Sequence, residues 1–142
     1  MRAQPMPRAP LVLLLLLLTG IGCVHNARPS DESMQPLAGA LVRLTKAVEF
    51  TAHYDPGASA LQDGALLNRA TQADPTLLAP FQEYVLRARQ QDGHANILVC
   101  TKDNRAALLE DVGCTEGLDR LAWTEVAPCE FTLSIPAVCD GH

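Results

Sequence analysis

Apolar and polar positions along the chain divide it into a leader, a helical half and a β-rich half. Leu11 to Leu18 is an unbroken apolar run, and polar residues from Val24 to Gln35 follow with no period. Leu37, Leu41, Leu44 and Val48 then recur at the spacing of one helical stripe, with Arg43, Lys46 and Glu49 off it, which predicts a core-facing helix over Leu37 to Thr51. His53-Tyr54-Asp55-Pro56-Gly57 ends that helix with turn residues. Ser59 and Gln62 form a capping-box pattern that opens a second helix, about Ala60 to Ala73, weakened by Gly64. Asp74-Pro75 starts a short turn as far as Leu78. A third helix is expected from about Pro80 to Gln90, with Phe81, Tyr84, Val85 and Ala88 inward and Gln90-Gln91-Asp92-Gly93 as its end.

The pattern then changes period. Ala95 to Thr101 is β-rich around Ile97, Leu98 and Val99, and Cys129 to Ile135 alternates with Cys129, Phe131, Leu133 and Ile135 on one face. Arg105 to Val112 fits two readings. Its Ala and Leu residues favour helix, whereas a hairpin turn at Lys102-Asp103-Asn104 would make Ala106 to Glu110 a strand. The expected fold class is α+β: two or three N-terminal helices packed on a small antiparallel C-terminal sheet of two or three strands. Residues 36–142 form one domain, and residues 23–35 a flexible tether.

Cysteine usage adds covalent links to this outline. After Cys23 come Cys100, Cys114, Cys129 and Cys139, spaced by 13, 14 and 9 residues, without a Cys-x-x-Cys and without the close pairs of a four-cysteine zinc site. Two structural disulfides are expected, and no metal or cofactor is implied. If residues 105–112 are helical and strands 95–101 and 129–135 antiparallel, Cys100 lies near Cys129, and Cys114 returns to where Cys139 emerges. That premise favours Cys100–Cys129 with Cys114–Cys139; a hairpin at Asp103-Asn104 would remove it.

The leader sets the expected address. Arg2 and Arg8 precede the apolar run, no acid does, and Leu11 to Gly22 is 12 residues long. That is short of the roughly 20 residues that span a bilayer, and it matches the layout of an export signal over residues 1–22. Gly20-Ile21-Gly22-Cys23 resembles the lipobox of bacterial lipoproteins, although Gly20 stands where that family prefers Leu, Val or Ile. The resemblance implies a cleaved, acylated Cys23 as the lipid-attachment residue and the bilayer as a partner. Because Val24 replaces the Asp that retains such proteins in the inner membrane, it also implies an outer-membrane anchor facing the periplasm.

Charge and chemistry narrow the rest. The leader holds two of the 11 basic residues and none of the 16 acids, so the mature chain carries a net charge of −7. Such a surface repels phosphate backbones, and nucleic-acid binding is excluded. His94 and Cys100 would make a nucleophilic pair only if the thiol were free; otherwise His94 is an exposed loop residue after Asp92-Gly93. Glu110, Asp111, Glu116 and Asp119 offer paired carboxylates but no EF-hand spacing. Trp123, the only tryptophan, is expected to pack over the disulfides. The function expected is a non-enzymatic binding or structural module of the cell envelope with an envelope protein as partner. The alternative is a small periplasmic hydrolase or stress factor using the acidic loop from Glu110 to Asp119.

Overall fold

A computed structural model describes residues 31–120 and 126–141. The leader, Cys23 and Trp123 lie outside the described residues. The chain builds α1 (Asp31–Tyr54), a 3-10 turn (Pro56–Ala58), α2 (Asp63–Ala70), a second 3-10 segment (Pro75–Phe81), β1 (Val85–Gln91), β2 (His94–Cys100), β3 (Ala107–Val112) and α3 (Ile135–Cys139). This is the α+β class expected, with a three-stranded antiparallel sheet of order β1-β2-β3.

The stripe on α1 does what its spacing implies: Leu37, Leu41, Leu44 and Val48 are all buried. The helix is longer than its stripe. Asp31 to Gln35, expected in the tether, are its first turns, because Met34 extends the apolar row by one turn and is itself buried. Pro36 sits inside the helix, in its second turn. Among the described residues no helix is long and apolar enough to cross a membrane.

The second helix is shorter than expected and begins differently. Ser59 closes the first 3-10 turn instead of capping α2, and Gln62 stands at the N-cap without a side-chain hydrogen bond. Asp63, with φ of 46°, turns the chain into α2 and accepts the backbone N–H of Ala88 at 3.1 Å, which ties α2 to β1. Asp55 accepts Gly57 N at 2.9 Å and Arg69 Nε at 2.6 Å, linking the 3-10 turn to α2.

Two expected elements are replaced. The third helix, Pro80 to Gln90, is a 3-10 end followed by β1. In the strand Leu86 and Ala88 face α1 and α2, Val85 and Arg89 face away, and Arg87 reaches Asp63 at the start of α2 at 3.3 Å. The turn decides between the two readings: Asp92 and Gly93 have φ of 54° and 82°, the two left-handed residues of a type I′ hairpin. That hairpin pairs Val85 with Cys100 and Gln91 with His94. Residues 107–112 are likewise a strand, entered through a turn in which Asn104 N donates to Thr101 O at 2.8 Å and Asn104 takes φ of 58°. A register shift at Val99/Cys100 leaves Leu108 as the extra residue.

The alternating stretch Cys129 to Ile135 is not a strand. It crosses the face of the sheet that points away from α1 and ends in α3. The sheet is therefore covered on both sides. Ala88, Ile97, Val99 and Leu109 join α1 and α2 in the main core, while Leu98, Cys100 and Ala107 pack with Cys129 and Phe131 in a smaller one. β2 is accordingly buried along its length from Ala95 to Cys100.

The disulfides are Cys100–Cys129 and Cys114–Cys139. The pairing agrees with the expectation although its premise does not hold. β3 runs back along β2 as the supposed helix would have done, so Cys114 still returns to the start of β2. Bridges enclosing 29 and 25 residues each contribute about 3 kcal/mol by restricting the unfolded chain.

Candidate functional site

The polar residues of α1 that lie off its apolar stripe converge on the ends of β2 and β3. Register places them there: Asn96 pairs with Val112, and Gly113 N donates to Ala95 O at 2.8 Å, so His94 comes level with Cys114. Glu49 reaches this end from the helix. Its Oε1 lies 2.6 Å from His94 Nδ1 and its Oε2 accepts Ala95 N at 2.6 Å. His94 is thus a half-buried strand residue held by a carboxylate, not an exposed loop residue. A ring nitrogen of His94 and the sulfurs of Cys114 and Cys139 all lie within 4.8 Å of one another. Cys100 is bonded to Cys129, so no free thiol is present there for the His94–Cys100 pair.

Gly113 makes this approach possible. A Cβ on it would sit 2.6 Å from the Cβ of Glu49, closer than packed carbons allow. The near end of the Glu49 side chain cannot swing away without moving α1. Gly113→Ala is therefore expected to destabilise the fold by about 1–3 kcal/mol, read as a lower urea midpoint. An unchanged midpoint would show that α1 and the β3 end are not pressed together as described.

One turn earlier on α1, Lys46 donates from Nζ to Gly113 O at 2.8 Å and also to Thr115 O. It clamps the loop after β3. In that loop Asp119 Oδ2 accepts Val112 N at 2.7 Å and Thr115 Oγ1 at 3.0 Å. A surface hollow of about 630 Å³ is lined by Cys114, Thr115, Glu116, Gly117, Leu118 and Asp119.

Asp111 lies beneath this loop on the helix-facing side of β3 and is 2% exposed. Burial pushes its carboxyl up to about 6; the hydrogen bond from Thr45 opposes the shift, and the nearby charge of Asp119 adds to it. Glu110 points to the opposite face and is fully buried. It accepts Asn96 Nδ2 at 2.9 Å, Thr132 N at 3.0 and 3.1 Å, Thr132 Oγ1 at 2.6 Å and Leu133 N at 3.0 Å. Arg89 completes this face, donating to Leu133 O at 2.5 Å with its guanidinium 4.3 Å from the Phe131 ring centre. Neighbours in sequence, the two acids therefore serve opposite sides of the sheet. Glu110 fastens the 131–133 crossing, and Asp111 faces α1.

Of the acids expected to act together, only Asp111 and Asp119 meet, through Asp119 N donating to Asp111 Oδ1 at 3.3 Å. Glu116 is exposed on the rim of the hollow. The cluster of Glu49, His94 and the Cys114–Cys139 bridge was not read from the sequence. Glu49 falls outside the apolar stripe and looks like a solvated residue until the sheet is placed. The one available signal was that Thr45 and Glu49 stand four residues apart, on one side of the helix. Comparison with known proteins gives no match: no family model, curated protein or solved structure is similar to the chain.

Proposed function

We propose that the protein is a lipid-anchored lipoprotein of the outer membrane, facing the periplasm, whose domain is a non-enzymatic binding or structural module. The observation that carries the reading is Gly20-Ile21-Gly22-Cys23 closing a 12-residue apolar leader, ahead of a domain stapled by two disulfides. An acylated Cys23 would hold the chain stably through two or more acyl chains. Disulfides are at home in an oxidising compartment. The way the acids are used supports a non-enzymatic role: Glu110 spends its oxygens on the 131–133 crossing, and Asp119 holds its own loop. A hydrolytic reading would draw on the raised pKa of Asp111, but that carboxyl is 2% exposed and faces a helix.

The binding part of the reading draws on α1. Phe50 and Tyr54 are 65% and 66% exposed, with ring centres 4.8 Å apart. An envelope protein presenting an apolar surface would gain from covering this pair.

Mass spectrometry of the processed chain from envelope fractions tests the anchor. The expected first residue is Cys23 carrying a diacylglycerol, and Cys23→Ser is expected to release the domain to the soluble periplasm. An unmodified Cys23 would remove the anchor. For the partner, a photo-crosslinking residue at Phe50 is expected to capture one envelope protein that the same residue at exposed Arg105 does not. Equal capture at both positions, or none at Phe50, would count against the binding role.

A further inference from the structure

Cys114, Cys139 and His94 come from three separate places: the end of β3, the end of α3 and the start of β2. Their donor atoms lie within 4.8 Å of one another. We propose that, when the Cys114–Cys139 bridge is reduced, these three residues form a binding site for a thiophilic divalent cation, with Zn2+ as its simplest occupant. The disulfide then acts as a redox cover on a metal site.

Several features of the structure support this. Two thiolates and one imidazole are a donor set of the zinc type, with a fourth position left for water or a ligand. Tetrahedral bonds of about 2.0–2.3 Å to nitrogen and sulfur place donors roughly 3.3–3.8 Å apart. The His94 nitrogen has only about an ångström to close, and the two bonded sulfurs part when the bridge is reduced. His94 is also held in the manner of a metal-ligating histidine. Nδ1 is engaged by Glu49 Oε1 at 2.6 Å, which leaves Nε2 as the nitrogen free to bind. Glu49 is itself fixed by the backbone N–H of Ala95 and by its close packing on Gly113. Cys114 lines the 630 Å³ hollow, which gives a reductant or an ion a way in.

The two bridges differ in access. Cys100 is fully buried and Cys129 nearly so, whereas Cys114 and Cys139 are half-buried. An external dithiol therefore meets the Cys114–Cys139 bridge first. Two electrons and two protons pass to that bridge, its S–S bond opens, and the sulfurs of the reductant join in a disulfide of their own. Zn2+ then binds the two sulfurs and His94, displacing the two thiol protons.

The test uses the full-length protein carrying Cys23→Ser, so that the four disulfide cysteines are its only thiols. Graded treatment with a dithiol, alkylation and peptide mass mapping identify the state in which only Cys114 and Cys139 are free. Zn2+ alone is then titrated against a chromophoric chelator. One Zn2+ per chain is expected, at least 100-fold tighter in the reduced state than in the oxidised one. Cys114→Ser should abolish this binding and His94→Gln should weaken it at least 100-fold. Glu49→Gln should weaken it about 10- to 100-fold by freeing the imidazole. If both bridges open together, a Cys100→Ser/Cys129→Ser variant gives the same reading. Equal affinity in the oxidised and reduced states, or unchanged affinity in His94→Gln, would overturn the proposal. A reduced chain that loses its far-ultraviolet circular dichroism and does not regain it with Zn2+ would overturn it as well.

Discussion

Replacing Glu110 with alanine is expected to cost about 2–4 kcal/mol of stability. The side chain is fully buried and accepts hydrogen bonds from four donors: Asn96 Nδ2, Thr132 N, Thr132 Oγ1 and Leu133 N. Alanine would leave two backbone N–H groups beneath the 131–133 crossing without acceptors. Both bonds are part-buried, and each donor orphaned there costs about 1 kcal/mol. Glu110→Gln is not a mild change either, because its amide NH2 would face a set of donors, so it too should destabilise the fold. The crossing is also held by the Cys100–Cys129 bridge and by Arg89, so the main loss should be local. Hydrogen exchange at Thr132 and Leu133 should accelerate more than exchange in α1. Urea denaturation measures the total. A loss below about 1 kcal/mol, or exchange unchanged at those two amides, would refute the anchoring role. The same result bears on catalysis: a combined substitution of the acids from Glu110 to Asp119 would lose activity through unfolding, whatever the loop does.

Asp111 is expected to make the protein more stable on mild acidification, the reverse of the usual behaviour of a carboxylate. Its folded pKa is raised to about 6, against about 3.9 when exposed in the unfolded chain. Between those values the unfolded chain releases the proton before the folded one does. Stability is therefore full below about pH 4, is lost as pH rises toward 6, and stays reduced by about 2–3 kcal/mol above that. The hydrogen bond from Thr45 and the charge of Lys46 both favour the ionised form, so burial is what raises the value. Asp111→Asn reproduces the neutral donor. It should raise stability at pH 7.5 by about 2 kcal/mol and remove the rise between pH 7 and 5. Below about pH 4 the opposite contribution takes over, because Arg69 and the Gly57 amide hold Asp55 below its usual range and that pairing is lost on protonation. Urea midpoints of the parent and Asp111→Asn from pH 4 to 8 test this. If the two curves run parallel across that range, Asp111 does not control the window.

Much of the helical half was legible because its signals are local. A stripe at Leu37, Leu41, Leu44 and Val48 needs only helical periodicity to be read, and all four are buried. Turn chemistry was equally plain at Asp92-Gly93, although its consequence was misjudged. Read as the end of a helix, the same two residues are the type I′ turn that makes Val85–Gln91 a strand. Phe81, Tyr84, Val85 and Ala88 satisfy a helical spacing, whereas in the strand Val85 packs on the opposite face from Leu86 and Ala88, a split that only the sheet's second core makes visible. In the opposite sense, Cys129 to Ile135 alternates as a strand should, yet it lies across the sheet. There the alternation reflects one side packed on Leu98 and Cys100 and the other facing solvent.

The helix stripe and the cysteine content are properties of short stretches, and the order of residues suffices to state them. Strand choice, the use of each acid and the cluster at His94 depend on contacts between residues far apart in the chain. Glu110 and Asp111 are adjacent and chemically alike, but the strand period of two sends one beneath the 131–133 crossing and the other against Thr45. Glu49 and His94 are 45 residues apart, and Cys114 and Cys139 are 25 apart. Only the antiparallel return of β3 along β2, with α1 laid over their ends, brings these four together.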